Sequence, residues 1–398
     1  MRYRLGNLGN LTIRNLIISY VLLYSIMPIV SRLTSNYLTT YFYMIVVVAL
    51  VVLILVLDRP ENLNEYGTFL LPFIIYGVLT YFTTAQDVVM WGYQTLLFWL
   101  PVIMGYYFTQ NTMRIIPVYT NLIILAIAIT MVTTIVGCIR NPSAARILAT
   151  VSSNDAASST YDMQNIGGYN FVYIMILLYP VLILAYKTKR IRIGTTLILT
   201  AVILTTVIVS EYTTALLLFI ISSFLFLTKR TLSARGIVVI SIIAFLFLAF
   251  FTNAISDFLR WLGGLTGSDV IARRLDALAG GTTGLEASED NRIELYRMSL
   301  NTFGGSPIFG TLFEGKRHDG GHSFILDNFA QFGILGAGLM YFMYHRIFRR
   351  FFLPFKDKPG FGYVVWTFIQ AIILSIVNTG MWLEVLCLYA PILFYWIY

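Results

Sequence analysis

Long apolar runs separated by short polar joints dominate the chain. They cover roughly 15–31, 41–57, 67–83, 89–108, 117–138, 168–186, 193–210, 212–228, 236–252, 323–344, 361–379 and 381–398. The runs are continuously apolar, whereas the strands of an outer-membrane barrel alternate apolar and polar positions. Their lengths are close to the ~20 residues that a helix needs to cross a bilayer. The pattern predicts an all-α polytopic membrane protein with about twelve transmembrane helices. Nine spans fall in 1–252, a long extracytoplasmic segment covers 253–322, and three more spans fill 323–398. The basic start MRYRLGNLGNLTIRN leads into an apolar run with no small-residue cleavage pattern, so this run is expected to stay as the first span.

Composition sharpens the class. Of 398 residues, 58% are hydrophobic and 12% charged, against roughly 25% charged in an average soluble domain. One or two soluble cores cannot hide that much apolar surface, and a disordered chain would not carry it. The net charge of +8 brings nucleic acid to mind, but the distribution of the basic residues gives a different reading. With the N-terminus inside, inner segments hold 17 of the 27 Lys and Arg residues, and the short outer joints hold only Arg32. That is the bias of cytoplasmic loops, so both termini are expected on the cytoplasmic side of a membrane, with no nucleic-acid partner. Cys138 and Cys387 lie far apart in or beside apolar runs and read as packing residues rather than as a disulfide or zinc framework.

The two long outer segments hold the candidate chemistry. The first, 139–167, is polar and rich in Ser, Ala and Asn. The second is too long and too patterned for a bare connector. Within it, SDVIARRLDALAGG and SEDNRIELYRMSLNTF read as short helices and GGSPIFG as a turn. This segment gathers Arg260, Arg273, Arg274, Arg292, Arg297, Lys316 and Arg317 with His318 and His322. Guanidinium forks fit phosphate oxygens bidentately, so the group favours an anion site, although any one of these arginines has acidic neighbours with which to pair. Arg292 and Tyr296 share a helix face that Ser299 continues, and Arg297 points roughly 140° away at ~100° per residue. His322 opens the tenth span, where a neutral imidazole can take a proton near neutral pH. Asp327, Glu211 and Glu384 all fall in the outer third of the apolar region, where a charge is costly unless it faces a polar cavity. No metal-ligand cluster stands out, and no cofactor is expected.

Read as one unit, DNRIELYRMSLNTFGGSPIFGTLFEGKRHDGGHSFILDNFAQFGILG (290–336) resembles the O-antigen ligase/polymerase superfamily of Wzy-like membrane glycosyltransferases. The matching residues are Arg292 at the start of a loop helix, the turn Ser306-Pro307-Ile308-Phe309-Gly310, His322-Ser323, and Gly333-Ile334-Leu335-Gly336. Asn170 in GGYNF stands at the family's Asn-containing helix start. The chain departs from the family at Ser210-Glu211-Tyr212, where the family often has Ser-Arg. Arg140, Arg146, Arg273 and Arg274 are the alternatives for that missing cation.

The resemblance implies a GT-C-like glycosyltransferase of the bacterial inner membrane, with its active site facing the periplasm or exterior. Its donor and acceptor would be undecaprenyl-diphosphate-linked oligosaccharides, joined with inversion and without a metal. Arg292 would hold the leaving diphosphate and His322 would assist the acceptor hydroxyl. It further implies a place for a chain-length regulator as partner. The leading expectation is a repeat-unit polymerase for O-antigen, capsule or exopolysaccharide. The rivals are a ligase that transfers the glycan to lipid A core, a lipid-linked oligosaccharide flippase, and a non-catalytic sensor or scaffold.

Overall fold

The computed structural model describes residues 13–38, 42, 45–49, 63–84, 88–111, 116–142, 144–150, 156–227, 286–314 and 319–398, with a few single positions between 228 and 285. Among these residues every regular element is helical. In chain order they are α1 (Ile13–Ile26), α2 (Pro28–Tyr37), α3 (Leu63–Thr84), α4 (Val88–Asn111), α5 (Ile116–Arg140), α6 (Ala144–Thr150), α7 (Ala156–Met163), α8 (Tyr169–Lys187), α9 (Ile193–Ser210), α10 (Thr213–Ser223), α11 (Glu286–Gly305), α12 (Phe324–Ile347), α13 (Phe361–Val377) and α14 (Ala390–Ile397), the last preceded by a wide turn at Glu384–Tyr389. Three helices, α5, α8 and α9, are long and apolar enough to cross a membrane, and the bent pair α1–α2 makes a fourth if counted as one span. Several shorter apolar helices accompany them. The expected spans at 41–57 and 236–252, and the expected helix SDVIARRLDALAGG, lie largely or wholly outside the described residues.

The apolar helices mark a membrane-associated protein, and their faces show why. On α5, Val118, Leu125, Val132 and Ile139 recur every seven residues and are 57–65% exposed. The opposite face buries Tyr119, Ile123, Ala126, Thr130, Met131, Thr134 and Cys138. A stripe of large apolar side chains turned outward is a liability in water and ordinary against hydrocarbon. Helix α8 is buried on nearly every side, as expected of an all-round apolar helix at the centre of a bundle. Polar side chains join helices across this apolar interior. Ser222 Oγ accepts from Trp366 Nε1 at 3.0 Å and from Gln370 Nε2 at 3.1 Å, and Tyr344 Oη donates to Ser375 Oγ at 3.0 Å. Between helices in lipid such bonds substitute for the weak hydrophobic drive. Cys138 and Cys387 are both free and buried.

Contacts at the helix ends fall into two groups. In one, Phe324 N–H donates to Asn378 O (2.8 Å), Tyr296 Oη to Val377 O (2.9 Å), Tyr212 Oη to Ala145 O (2.5 Å) and Ile29 N–H to Asn165 Oδ1 (3.3 Å). In the other, Arg350 Nη1 meets Glu65 Oε1 (2.9 Å), Lys187 Nζ meets Phe226 O (2.7 Å), Arg190 Nε meets Ile397 O (2.7 Å) and Tyr398 Oη meets Pro359 O (2.8 Å). Each of these pairs joins ends that strict up-and-down alternation assigns to the same side.

One expectation needs correction. The first span is not one rod over 15–31. It breaks at Met27, and α2 leaves α1 at 110°. Pro28 lacks an N–H, its ring clashes with the preceding turn, and it pushes Met27 into an extended conformation (φ −107°, ψ 105°). The polar segment 139–167 carries structure of its own. It forms α6 and α7 and returns to the bundle through buried Asn165, whose amide donates to Thr130 Oγ1 (3.1 Å) and Thr133 Oγ1 (3.2 Å).

Candidate functional site at the broken helix

Helix α12 contains a residue that no helix tolerates. Gly333 has φ 59° and ψ −145°, a region open essentially to glycine alone. The helix therefore stops after Phe332 and restarts at Ile334. Turn 307–310 fills the break. Ile334 N–H donates to Pro307 O (2.8 Å), Leu335 N–H to Ile308 O (3.4 Å), and Thr311 N–H to Ala330 O (3.0 Å). The turn itself needs glycine at Gly310 (φ 56°), where a Cβ would sit 2.3 Å from Ala330 O. The Pro-x-x-Gly turn and the Gly-x-x-Gly segment, two separate signals in the sequence, are thus the two halves of one joint.

The start of α12 is clasped to α11. Ser323 caps the helix, its Oγ accepting from Leu326 N–H at 3.0 Å. Asp327, buried with 3% exposure, accepts the Ser323 N–H at 3.0 Å on Oδ2 and the Ser299 hydroxyl at 2.7 Å on Oδ1. Ser299 Oγ in turn accepts the Gly320 N–H at 2.9 Å. Gln331 Nε2 donates to Asp319 Oδ2. A buried carboxylate is tolerable because fixed donors replace the water it has lost. These bonds tie segment 319–323, which includes His322, to α11 on one side and α12 on the other.

The expected site residues are distributed as follows. Arg292 stands on α11, on the face that continues through Tyr296 and Ser299, and its side chain is outside the described residues. Tyr296 is half-buried, and its hydroxyl is spent on Val377 O. Arg297 is exposed on another face of the same helix, and His322 is exposed between Gly321 and the cap Ser323. Asp327 organises the clasp. Arg140 is exposed in the last turn of α5, and Asn170 is exposed in the first turn of α8. Arg146 lies on α6 with its side chain outside the described residues; Arg273 and Arg274 lie outside them altogether.

Glu211 ends α9 in a left-handed conformation (φ 60°, ψ 33°), and half-buried Glu384 opens the wide turn before α14. The next residue after Glu211, Tyr212, joins an aromatic group in which it lies 5.8 Å from Tyr169 and 6.0 Å from Tyr173, and Trp382 lies 5.6 Å from Tyr173.

Sequence reasoning missed the bridging role of Ser299, the Asp319–Gln331 link and the partnership of Pro307 with Gly333. All three are contacts between residues 12 or more apart in the chain, without a local signature.

A cleft of about 210 Å³ opens beside the clasp. It is lined by Tyr76, Gly77 and Thr80 of α3, Trp91, Gln94, Thr95 and Phe98 of α4, Phe324, Asp327, Asn328 and Gln331 of α12, and Thr379. Among the described residues no group of three or more His, Cys, Asp or Glu side chains is placed to hold a metal ion. Comparison with known proteins finds no matching family model, no matching curated protein and no matching solved structure.

Proposed function

We propose that the protein is a membrane glycosyltransferase of the polysaccharide repeat-unit polymerase type, transferring a glycan from a polyprenyl diphosphate to another lipid-linked repeat unit. One observation carries the reading. The sequence signals that resemble this class are scattered over 292–336, yet they meet in one assembly: α11 with Arg292, the 307–310 turn, the His322-Ser323 lead-in and the break at Gly333.

In the reaction, an acceptor hydroxyl attacks the anomeric carbon from the face opposite the diphosphate. The C–O bond to phosphate breaks, and its electron pair leaves with the diphosphate. Arg292 stabilises that developing charge, and His322 receives the hydroxyl proton. The Asp327–Ser299–Ser323 clasp holds α11 and His322 in fixed relation, as a displacement of two reacting groups requires. About twelve spans with both termini cytoplasmic would place this assembly at the outer face. The two groups of helix-end contacts support that topology, since Lys187, Arg190 and Arg350 share one end and the clasp lies at the other.

The test is purified protein in nanodiscs supplied with a lipid-linked repeat unit and read on a gel. A ladder of products lengthening by one repeat supports polymerase. A single transfer to lipid A core supports the ligase. Lipid movement with no new glycosidic bond rejects both.

A further inference from the structure

The cleft between α3, α4 and the start of α12 has a chemistry unlike that expected of the diphosphate site. Among the described residues its lining includes the carboxylate of Asp327 and no Lys, Arg or His. A diphosphate entering it would lose its water, meet a carboxylate and find no cation among the described lining residues. The lining instead alternates ring faces with neutral hydrogen-bonding groups. Tyr76, Trp91, Phe98 and Phe324 supply the rings, and Thr80, Gln94, Thr95, Asn328, Gln331 and Thr379 supply hydroxyls and amides. The rings are held in place. Tyr76 and Phe98 have centroids 5.1 Å apart, Tyr76 and Phe324 6.1 Å, and Trp91 Nε1 donates to Gly77 O at 2.8 Å. Asn328 spends its amide donor on Phe324 O at 2.6 Å, and its buried Oδ1 has no hydrogen-bond partner among the described residues.

Size narrows the ligand. The 210 Å³ volume is below the ≈300 Å³ at which drug-sized pockets begin and suits a single ring. A pyranose matches both halves of the lining. Its C–H face rests on an aromatic ring, and its hydroxyls, each donor and acceptor, pair with amides and alcohols. We infer that this cleft is a subsite for an uncharged sugar ring, the terminal residue of the acceptor glycan. The inference rests on the glycosyltransferase reading for the word acceptor. Placement agrees with it. Asp327 and Gln331, both in the cleft wall, bond to Ser299, Ser323 and Asp319. The segment bearing His322 is therefore fastened to this wall, and α11 lies beyond Asp327. Neutral sugar and anionic diphosphate would approach the clasp from different sides.

The experiment uses full-length protein in nanodiscs and needs no transfer reaction. Saturation-transfer NMR is recorded with free glucose, galactose, rhamnose and N-acetylglucosamine in turn, and with inorganic pyrophosphate as competitor. At least one sugar should show transfer that pyrophosphate leaves unchanged. Gln94→Ala, at an exposed lining position, should weaken that sugar's binding by roughly three- to tenfold, the loss of one hydrogen bond. Thr379→Trp, at an exposed rim position, should abolish it by filling the opening. Both variants are checked for an unchanged melting temperature. If no sugar binds, if pyrophosphate displaces the sugar, or if both folded variants bind like wild type, the subsite is refuted. The two readings fail separately. A ladder from a protein whose cleft variants are normal sinks the subsite and leaves the polymerase, whereas sugar binding lost in the variants without any ladder sinks the polymerase and leaves the subsite.

Discussion

Replacing Gly333 by alanine tests the joint at the centre of the proposed site. The new Cβ would lie 2.4 Å from Ile308 O and 2.6 Å from Pro307 O, both backbone atoms that cannot rotate away. The φ of 59° with ψ −145° is itself a conformation that costs a non-glycine residue about 1–3 kcal/mol. Relief requires the turn to leave the break. That sacrifices the bonds from Ile334 N–H and Leu335 N–H, each worth about 1 kcal/mol net. The sum is a destabilisation of about 3–5 kcal/mol, concentrated at 306–314. Gly338→Ala is the control. It lies on the same helix with nothing within 4 Å of the added carbon, and it should gain up to about 1 kcal/mol from improved helix propensity. Thermal unfolding in nanodiscs compares the two variants, and amide hydrogen exchange over 306–314 and 328–336 locates the change. If Gly333→Ala matches Gly338→Ala within about 1 kcal/mol and exchange at the turn is unchanged, the joint described here is wrong.

Further expectations follow from the clasp and its surroundings. Ser299→Ala removes the donor to Asp327 and the acceptor for Gly320 N–H. It should lower stability by about 2 kcal/mol, the range of a charge-assisted bond, as read by thermal unfolding; no change would show that the clasp contributes nothing. Arg292→Ala should abolish most chain elongation at normal expression, and Arg292→Lys should not restore it because an ammonium lacks the planar fork; a fully active lysine variant on the gel assay would refute bidentate phosphate binding. His322→Ala should be comparably severe if the imidazole takes the acceptor proton; a mild loss on the gel assay would leave it a positioning residue. Burial raises the pKa of Asp162 above its ordinary value, with Arg32 opposing that shift. The folded state then holds this proton more tightly than the unfolded one, so stability falls as pH rises from the unfolded pKa through the raised folded one. Asp162→Asn should remove that loss and raise the melting temperature at neutral pH relative to wild type, the gap closing in acid.

Much of the helical content was visible in the sequence because a bilayer imposes a local rule. A segment apolar for about twenty residues must be helical to satisfy its own backbone. Thus α5, α8, α9 and α13 lie within a few residues of the predicted runs. The break at Pro28 was overlooked, although its cause is also local, because run length was read without the proline within it. The candidate residues were visible as chemical types, but their grouping was not. Apolar depth singled out Asp327 without giving it a partner, while the fold sets it against the Ser299 hydroxyl and the Ser323 N–H.

What the sequence by itself determined is therefore the all-helical apolar class and the inventory of possible chemistry, both set by properties of contiguous residues. Only the tertiary structure decided that turn 307–310 occupies the gap at Gly333, that Asp327 faces serine and backbone donors, and that a cleft lined by aromatic and neutral polar residues opens beside Asp327. Those facts depend on which distant backbone groups meet. A glycine records that something approaches closely or that the chain turns sharply, and it carries no information about the partner until the fold supplies one.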